Sequence, residues 1–325
     1  MGEIMSEKRL KEYIKDEIFN GVFALRQCDL RTKSNGESYL SLELGDSSGR
    51  LPAVYWGIDS NNIYKQIANL NIIYIQAVIS EYRNKPQVII YEMRPPTETE
   101  ASEIQLLPQG SLTQDELREA LNIMINKISD KWLSELLKVI YTDPEVELKF
   151  LTAPAGKLWH GAYIGGLAEH SLNVTKICEI TASFFPICRI DLLLTSAILH
   201  DIGKIDEISV DSFFDYTING RLIGHIILGN NRIQNAIKKI NGFPENISDE
   251  ISHLILSHHG ETAMGSPIPP MTLEACILHH ADMLEAQANA FNHVIQRDFS
   301  NYGDFSEWVK PLDRFLYIKN YRIEQ

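Results

Sequence analysis

The string HDIGK occupies residues 200–204, and its first two residues place an imidazole next to a carboxylate. Mixed nitrogen and oxygen ligands suit divalent metals of intermediate hardness. Adjacent His200 and Asp201 suit two metal ions in particular, because the two oxygens of Asp201 can bridge both ions while His200 binds one. This short string therefore predicts a metal centre in the second half of the chain.

The histidines are distributed unevenly around this string. All ten lie between His160 and His293, so the first 159 residues contain none. Outward from HDIGK, the side chains that could complete a metal centre are His170, His225, His258, His259 and Asp282. The uneven distribution indicates that one half of the chain carries the chemistry and that the other half has a different task.

Apolar residues at helical spacing indicate which of these side chains face a core. His170 continues an apolar stripe with Leu167 and Val174, and His258 ends a second stripe, whereas His253 falls off it. A single inward histidine is ordinarily a hydrogen-bonded core residue. Several unpaired polar groups buried together would cost several kcal/mol each, and a shared metal site removes that cost by coordination. The set as a whole therefore favours a metal site.

Three assignments stay open on the sequence alone. His259 lies beside its apolar stripe, so His258, His259 or both could bind metal. Lys204 could hold a non-bridging phosphate oxygen in the transition state, or it could be a solvated lysine at a helix end. His160 precedes His170 by ten residues, and it could contact substrate or a metal ligand, or lie on the surface.

Length and composition limit the classes of protein that fit. With 325 residues the chain exceeds most single cores, so two domains are expected. No apolar run could span a bilayer and no secretory signal opens the chain, which predicts a cytoplasmic protein with no membrane partner. The net charge of −13 argues against indiscriminate binding of nucleic acid. The stretch 18–95 is nearly neutral, however, and could still offer a basic groove.

The two halves of the chain are expected to fold as different classes. Alternating apolar residues over Ser38–Leu44 and the turn signal Asn35-Gly36 predict a small β-barrel or sandwich. From a capping box at Thr113 onward the pattern is helical almost throughout. The predicted organisation is an N-terminal segment 1–17, a barrel 18–95, a linker 96–112 and a helical domain 113–325.

Three helix boundaries are predicted near the candidate ligands. Gly203 is expected to stop the helix that ends at HDIGK. A helix over 248–259 is expected to begin at an N-cap Ser248. The last helix is expected to span 272–290 and to carry Asp282.

The order of these motifs, H…HD…D, resembles the HD superfamily of metal-dependent phosphohydrolases. His225 and His258 resemble the additional ligands of its two-metal members. HDIGK also resembles the HD-GYP phosphodiesterases, but His259 is followed by GETAMGSPIPP and the GYP signature is missing. Hydrolysis of cyclic dinucleotides is therefore not expected.

A resemblance to the YhaM-type 3′-5′ exoribonucleases covers nearly the full chain. Its strongest strings are HGAYIGGLAEH at 160–170, HDIGK, and ADMLEA at 281–286. In the first half, NGESYL at 35–40 and LGDSSG at 44–49 match the OB strand pair of that family. The resemblance implies an OB-fold barrel followed by an all-α HD-domain helical bundle.

The resemblance implies a metal-dependent 3′-5′ exoribonuclease, with DNA as a further possible substrate. A hydroxide activated by two metal ions would attack the phosphodiester. Asp201 would bridge the ions and Lys204 would contact the phosphate. Imidazole and carboxylate ligands favour manganese over magnesium, with iron, cobalt or zinc as alternatives. The residues expected to hold the two ions are His170, His200, Asp201, Asp282, His225, His258 and His259.

The barrel would then bind the single strand. OB-folds stack bases on aromatic rings and contact phosphates with basic residues. The residues expected to do so are Arg31, Lys33, Tyr39, Arg50, Tyr82, Arg83 and Lys85. Tyr55, Trp56 and Tyr74 are further aromatic candidates, but burial in the core explains any one of them better than base stacking does.

Two other functions stay open. The chain could be an HD phosphohydrolase of free nucleotides whose OB-like domain serves regulation or assembly. It could also be a nucleic-acid adaptor with a decayed HD site, although the intact ligand set argues against decay. The isoleucine-rich helices could form a subunit interface, so a homo-oligomer also stays open.

Overall fold

The computed structural model describes residues 8–57, 59–103, 106–157, 161–298 and 303–321. The chain divides into two compact units. The barrel unit runs to Gln109 and also takes in Val210–Asp215, and the helical unit comprises Gly110–Ser209 and the chain from Tyr216 onward.

Five strands of the barrel unit close into a barrel in the order β1-β2-β3-β5-β4. Their bounds are Ile18–Thr32 (β1), Ser38–Asp46 (β2), Gly49–Tyr55 (β3), Ile72–Tyr82 (β4) and Lys85–Arg94 (β5). Strands β3 and β5 are parallel, and the other neighbouring pairs are antiparallel. Helix α1 (Ser60–Ile67) connects β3 to β4. This five-stranded arrangement is the OB-fold architecture that the sequence predicted.

The long first strand closes the barrel. Residues 18–24 of β1 pair with β4, and residues 24–32 pair with β2. The register shifts between Leu25 and Gln27, which lets the strand bend between its two partners. In β2 the leucines 40, 42 and 44 are buried, and the residues between them face outward. The alternation in the sequence thus fixes which face of the strand lines the core.

Helix α2 (Glu98–Glu103) follows β5, so the stretch predicted as a linker includes one helical segment. The helices of the second half are α3 (Gln114–Asn126), α4 (Lys131–Tyr141), α5 (Pro144–Thr152), α6 (Gly166–Ala182), α7 (Ile190–Leu199), α8 (Lys204–Glu207), α9 (Ile218–Ile223), α10 (His225–Ile237), α11 (Glu245–Ser257) and α12 (Leu273–Asp298). No helix in the described ranges combines the length and apolarity that a bilayer crossing requires.

Apolar faces of these helices form one core around α7. Every residue from Leu192 to Leu199 is buried, so this helix is enclosed on all sides. Helix α3 begins at the predicted capping box: the Thr113 hydroxyl accepts a hydrogen bond from the backbone of Glu116, whose side chain accepts one from the backbone of Thr113. Because α7 leads directly into HDIGK, the core holds that string rigidly.

Several predicted boundaries were wrong. Helix α11 begins at Glu245 after an N-cap Pro244, and Ser248 lies inside it. Helix α12 continues to Asp298, eight residues beyond the predicted end, because apolar Val294 still packs against the C-terminal segment. The second half is helical almost throughout, as predicted, and Ile208–Val210 (β6) and Phe214–Tyr216 (β7) interrupt the helices with a two-stranded sheet.

Candidate metal centre

Asp201 lies at the centre of the cluster that the sequence predicted. Its carboxylate is almost fully buried in the turn between α7 and α8. The Oδ1 atom lies 3.4 Å from His225 Nε2 and 3.7 Å from His258 Nε2. The Oδ2 atom lies 3.4 Å from His200 Nε2 and 3.5 Å from His170 Nε2. Each oxygen therefore faces its own pair of imidazoles, which is the arrangement that a bridging carboxylate needs.

The two remaining predicted ligands join opposite sides of this cluster. Asp282 on α12 places Oδ1 3.1 Å from His170 Nε2 and 3.8 Å from His200 Nε2. His259 belongs to the other group, in which one potential ligand atom from each residue lies within 4.8 Å of the others. The members of that group are Asp201, His225, His258 and His259. The residues that the sequence singled out as ligands thus converge from five parts of the chain.

In each of the five imidazoles the Nδ1 atom already has a hydrogen-bond partner. Three donate to backbone carbonyls: His200 to Ala197 at 2.8 Å, His258 to Ile255 at 2.6 Å and His259 to Met264 at 3.2 Å. The other two contact carboxylates: His170 with Glu285 at 2.5 Å and His225 with Glu207 at 3.2 Å. These partners fix the ring orientations and leave Nε2 as the nitrogen available for ligation.

Three atoms at the centre are buried without a hydrogen-bond partner: Asp201 Oδ1, His225 Nε2 and His258 Nε2. Buried polar atoms are ordinarily paired, because each unpaired one loses its contact with water. All three atoms belong to the same group and are electron-pair donors in neutral imidazole or ionised carboxylate. A divalent cation would satisfy them together, so the residues present fit a metal.

The surrounding carboxylates give the cluster a negative potential. Burial alone would lower the pKa of His170, but hydrogen bonds with Asp282 and Glu285 and the nearby negative charges raise that pKa to about 10. The pKa of Asp282 is lowered despite its burial, through His170 and His200. On the other side, burial and the neighbouring His258 lower the pKa of His259 to about 4. The ring of His170 is thus stabilised in its charged form by its carboxylate neighbours, whereas that of His259 favours the neutral form, which is the form that binds metal.

Gly203 explains how two helices approach closely enough to form the centre. A Cβ atom at this position would lie 2.0 Å from the carbonyl oxygen of His225 and 2.5 Å from the amide nitrogen of Gly229. Helix α7 already ends at Leu199, and Gly203 has ordinary right-handed torsions and precedes α8, so the prediction that Gly203 stops that helix was wrong. Its missing side chain instead allows the start of α10 to pack against HDIGK, which brings His225 to Asp201.

Lys204 contacts the bridging carboxylate directly. Its Nζ donates to Asp201 Oδ2 at 2.6 Å, and the side chain is largely buried. Burial alone would lower the pKa of Lys204, but the charge of Asp201 raises it. The ammonium group therefore partly neutralises the carboxylate, and it also lines the cavity described next.

A cavity of about 720 Å³ opens onto the centre within the helical unit. The cluster residues on its wall include His170, Asp201, His225, His259 and Asp282. The remaining wall is largely apolar, with Met264, Met283, Ala286, Ala290 and Leu312 among its side chains. The cavity thus combines a polar wall, which the cluster residues form, with a largely apolar wall.

Sequence reasoning did not single out three residues that support the ligands. Glu285 contacts His170 and is itself held by the side-chain amides of Asn173 and Asn289. Glu207 contacts both the ring and the backbone amide of His225, and His279 donates to the carbonyl of His258 at 2.9 Å. The spacing Asp282-x-x-Glu285 could have indicated Glu285, because residues three apart share a helix face. His160 lies outside the described residues.

The barrel groups three of its seven predicted nucleic-acid contacts near one end of β2. Tyr39 stacks on Trp56 with ring centroids 4.7 Å apart, and Lys33 Nζ lies 4.8 Å from the Trp56 centroid. Arg31 is the cross-strand partner of Tyr39. Trp56 is 47% exposed, whereas Tyr55 and Tyr74 are buried in the barrel. The stacked pair of Tyr39 and Trp56 (the aromatic platform) thus includes a partly exposed ring that burial in the core does not explain.

The other predicted contacts lie at two further places on the barrel. Arg50 forms a 3.0 Å salt bridge with Glu43 on the outer face of β2 and β3. Tyr82, Arg83 and Lys85 surround the tight turn between β4 and β5, where the Arg83 guanidinium lies 5.2 Å from the Tyr82 ring centroid. The loops between β1 and β2 and between β4 and β5 are the ones through which OB-folds bind oligonucleotides.

Comparisons with known proteins agree with both units. The model of the HD domain family matches residues 167–287. The 3′-5′ exoribonuclease YhaM of Shouchella clausii is 29% identical over 313 residues, covering 96% of each chain. The YhaM of Halalkalibacterium halodurans is 29% identical over 308 residues, covering 94% of each chain.

Among solved structures, the second OB-fold domain of replication protein A from Methanococcus maripaludis aligns with 28% of this chain and 95% of its own. The identity is 9% and the TM-score 0.23, so the strand order rather than this likeness identifies the barrel. The second half contains an HD domain, and the chain as a whole is similar over about 95% of its length to the YhaM-type 3′-5′ exoribonucleases, as its motifs indicated.

Proposed function

We propose that this chain is a metal-dependent 3′-5′ exoribonuclease that shortens single-stranded RNA by hydrolysing its phosphodiester bonds. The observation that carries the proposal is the buried carboxylate of Asp201, which faces one pair of imidazoles with each of its oxygens. The similarity to exoribonucleases over both units supports RNA as the substrate and the 3′ end as the start.

Two divalent cations are proposed to occupy the centre, with manganese foremost and iron, cobalt or zinc as alternatives. The proposed ligands of the first ion are His170, His200, Asp201 and Asp282, and those of the second are Asp201, His225, His258 and His259. Such a pair would act as Lewis acids on the phosphate oxygens.

The chain's own residues perform the other parts of the reaction. Glu285 and Glu207 hold His170 and His225 in place, so the ligands need no rearrangement when a phosphate arrives. Lys204 lies beside Asp201 and lines the cavity, from which its ammonium group can also donate to a non-bridging phosphate oxygen. The apolar part of the wall excludes water from the side of the base and so strengthens these charged contacts.

The decisive experiment uses the full chain with Mn²⁺ and a single-stranded oligoribonucleotide labelled at its 5′ end. A ladder of labelled products that shortens from the 3′ end is expected, and a chelator should abolish it. Immediate release of a labelled mononucleotide would contradict the direction. An intact oligomer beside hydrolysed free nucleotides would instead support the alternative, a phosphohydrolase of nucleotides. A DNA oligomer in parallel measures the preference for RNA.

A further inference from the structure

An aromatic ring with two cations close to it lies at the cavity of the helical unit. Tyr216 ends β7, is 41% exposed and lines this cavity together with Lys157. The Nζ atom of Lys157 lies 5.5 Å from the centroid of the Tyr216 ring. The guanidinium carbon of Arg221, on α9, lies 5.7 Å from the same centroid. One ring thus has two positive charges within cation–π distance.

The position of this ring is tied to the metal centre through the backbone of its neighbour. The amide of Thr217 donates to the carbonyl of Glu207 at 2.9 Å, and the Thr217 hydroxyl donates to the carbonyl of Asp206 at 2.7 Å. Both acceptors belong to α8, the short helix that follows HDIGK. The carboxylate of Glu207 in turn contacts His225. Tyr216 is therefore held at a fixed place relative to the proposed metal ligands.

The chemistry of this group matches the two parts of a nucleotide. An exposed aromatic ring stacks on a base, and lysine and arginine contact the phosphates on either side of it. Two cations close to one ring are also an unusual local excess of positive charge in a chain whose net charge is −13. A ring stack accepts every base, because each base has a flat face, so this group would hold the strand without reading its sequence.

On the basis of the proposed function, we propose that Tyr216, Lys157 and Arg221 form a binding subsite for the nucleotide next to the cleaved phosphate. Tyr216 stacks on its base, and Lys157 and Arg221 contact the backbone phosphates. The subsite positions the strand and contributes no ligand to the centre, whose proposed ligands are the imidazoles and carboxylates gathered around Asp201.

The test compares two substrates in Tyr216→Leu and Tyr216→Phe. One is a single-stranded oligoribonucleotide, and the other is bis(p-nitrophenyl) phosphate, a diester without any base. Tyr216→Leu should raise KM for the oligonucleotide on the order of ten-fold, the size of one lost base–aromatic stack. Its rate on the small diester should fall far less, and its bound manganese should equal that of the wild type. Tyr216→Phe keeps the aromatic ring, so its KM for the oligonucleotide should equal that of the wild type.

Tyr317→Leu is the matched control, because Tyr317 is 45% exposed in the same unit and is not among the cavity-lining residues. An unchanged oligonucleotide KM in Tyr216→Leu would overturn the subsite while leaving the proposed function intact. Equal losses on both substrates, or a loss of manganese, would show a structural role and also overturn it. A wild-type protein that cleaves neither substrate would overturn both proposals.

Lys157→Ala gives an independent measurement if the ring variants fold poorly. A cation that contacts a phosphate of a single strand contributes about 0.7 to the slope of log affinity against log salt concentration. Lys157→Ala should therefore lower that slope by about this amount, whereas the exposed Lys176 on α6 provides a control whose replacement by alanine should not. Equal slopes for wild type and Lys157→Ala would contradict the phosphate contact.

Discussion

The metal centre and the barrel surface are built in opposite ways. In the centre, Asp201, His200 and His258 are almost fully buried, and every imidazole has its second nitrogen bound by a carbonyl or a carboxylate. On the barrel, Trp56 and Tyr82 are about half exposed, and their neighbours are the lysine and arginine side chains of Lys33 and Arg83. The function of a buried cluster depends on every one of its residues, whereas the binding energy of an exposed surface is the sum of many small contributions. Substitutions in the two regions should therefore differ greatly in size.

The largest effect is expected for Asp201→Asn. The amide removes the negative charge that both groups of imidazoles share, and it leaves the buried Lys204 without its carboxylate partner. Loss of metal-assisted stabilisation is worth several kcal/mol, so exoribonuclease activity should fall by about three orders of magnitude. Bound manganese, measured by elemental analysis, should fall together with activity.

His280→Gln is the control for this variant. His280 is exposed on α12 two residues before Asp282 and is not among the residues gathered around Asp201. Its replacement should leave metal content and activity near those of the wild type. Activity that persists in Asp201→Asn at unchanged metal content would contradict the assignment of the centre.

Replacing the carboxylates that hold the imidazoles should have an intermediate effect. Glu285→Gln and Glu207→Gln keep the shape of the side chain but remove the charge that contacts His170 and His225. Partners of this kind typically change metal affinity by about 10- to 100-fold. A titration with Mn²⁺ should show weaker binding, and saturating metal should recover much of the activity.

The exposed Glu135 on α4 offers the matched control, because Glu135→Gln makes the same chemical change away from the centre. Unaltered manganese affinity in both Glu285→Gln and Glu207→Gln would break the contrast between the two regions. It would mean that the imidazoles are held in place by packing alone.

The contrast also explains what the sequence could predict. The alternation in β2 and the apolar stripes of the helices follow the pattern of buried positions. The sequence could therefore predict that His170, Asp201 and His258 face inward, and all three are buried. The spacing of Glu285 from Asp282 could have indicated Glu285, but the supporting role of Glu207 depends on which histidine lies across the space, and sequence spacing holds no such information. Gly203 was assigned the wrong role for the same reason: its close contact is with α10, not with its own helix. On the barrel surface, the pairing of Tyr39 with Trp56 follows from strand register, which a single sequence leaves open.

Smaller effects are expected for the aromatic platform of the barrel. Trp56→Ala should raise KM for a long single strand by about ten-fold, since one base–aromatic stack is worth roughly 1–3 kcal/mol. Tyr39→Ala should act in the same direction, and the double variant should lose less than the product of the two, because the rings contact each other. Hydrolysis of a small diester measures the chemistry alone and should change little.

Tyr91→Ala serves as the control for the platform, because Tyr91 is 59% exposed on β5, outside the two loops. If Tyr91→Ala weakens binding as much as Trp56→Ala does, the strand follows a different face of the barrel. If Trp56→Ala instead reduces hydrolysis of the small diester, the barrel has a role in the chemistry that a binding surface would not have.

The smallest effects are expected at the turn between β4 and β5. Arg83 and Asn84 both have positive φ, 53° and 60°, so a tight two-residue turn holds the guanidinium beside the Tyr82 ring. At high exposure the charge of Arg83 acts mainly through release of counterions, and Arg83→Ala should lower the slope of log affinity against log salt by about 0.7. Lys85→Ala should lower the slope by a similar amount, and Lys65→Ala on α1 should leave it unchanged.

Affinity at low salt should change only a few-fold, because each exposed charge adds one weak contact to a strand that the rest of the surface still holds. A slope that stays constant in both turn variants would place the strand away from this loop and confine the binding surface to the platform around Trp56.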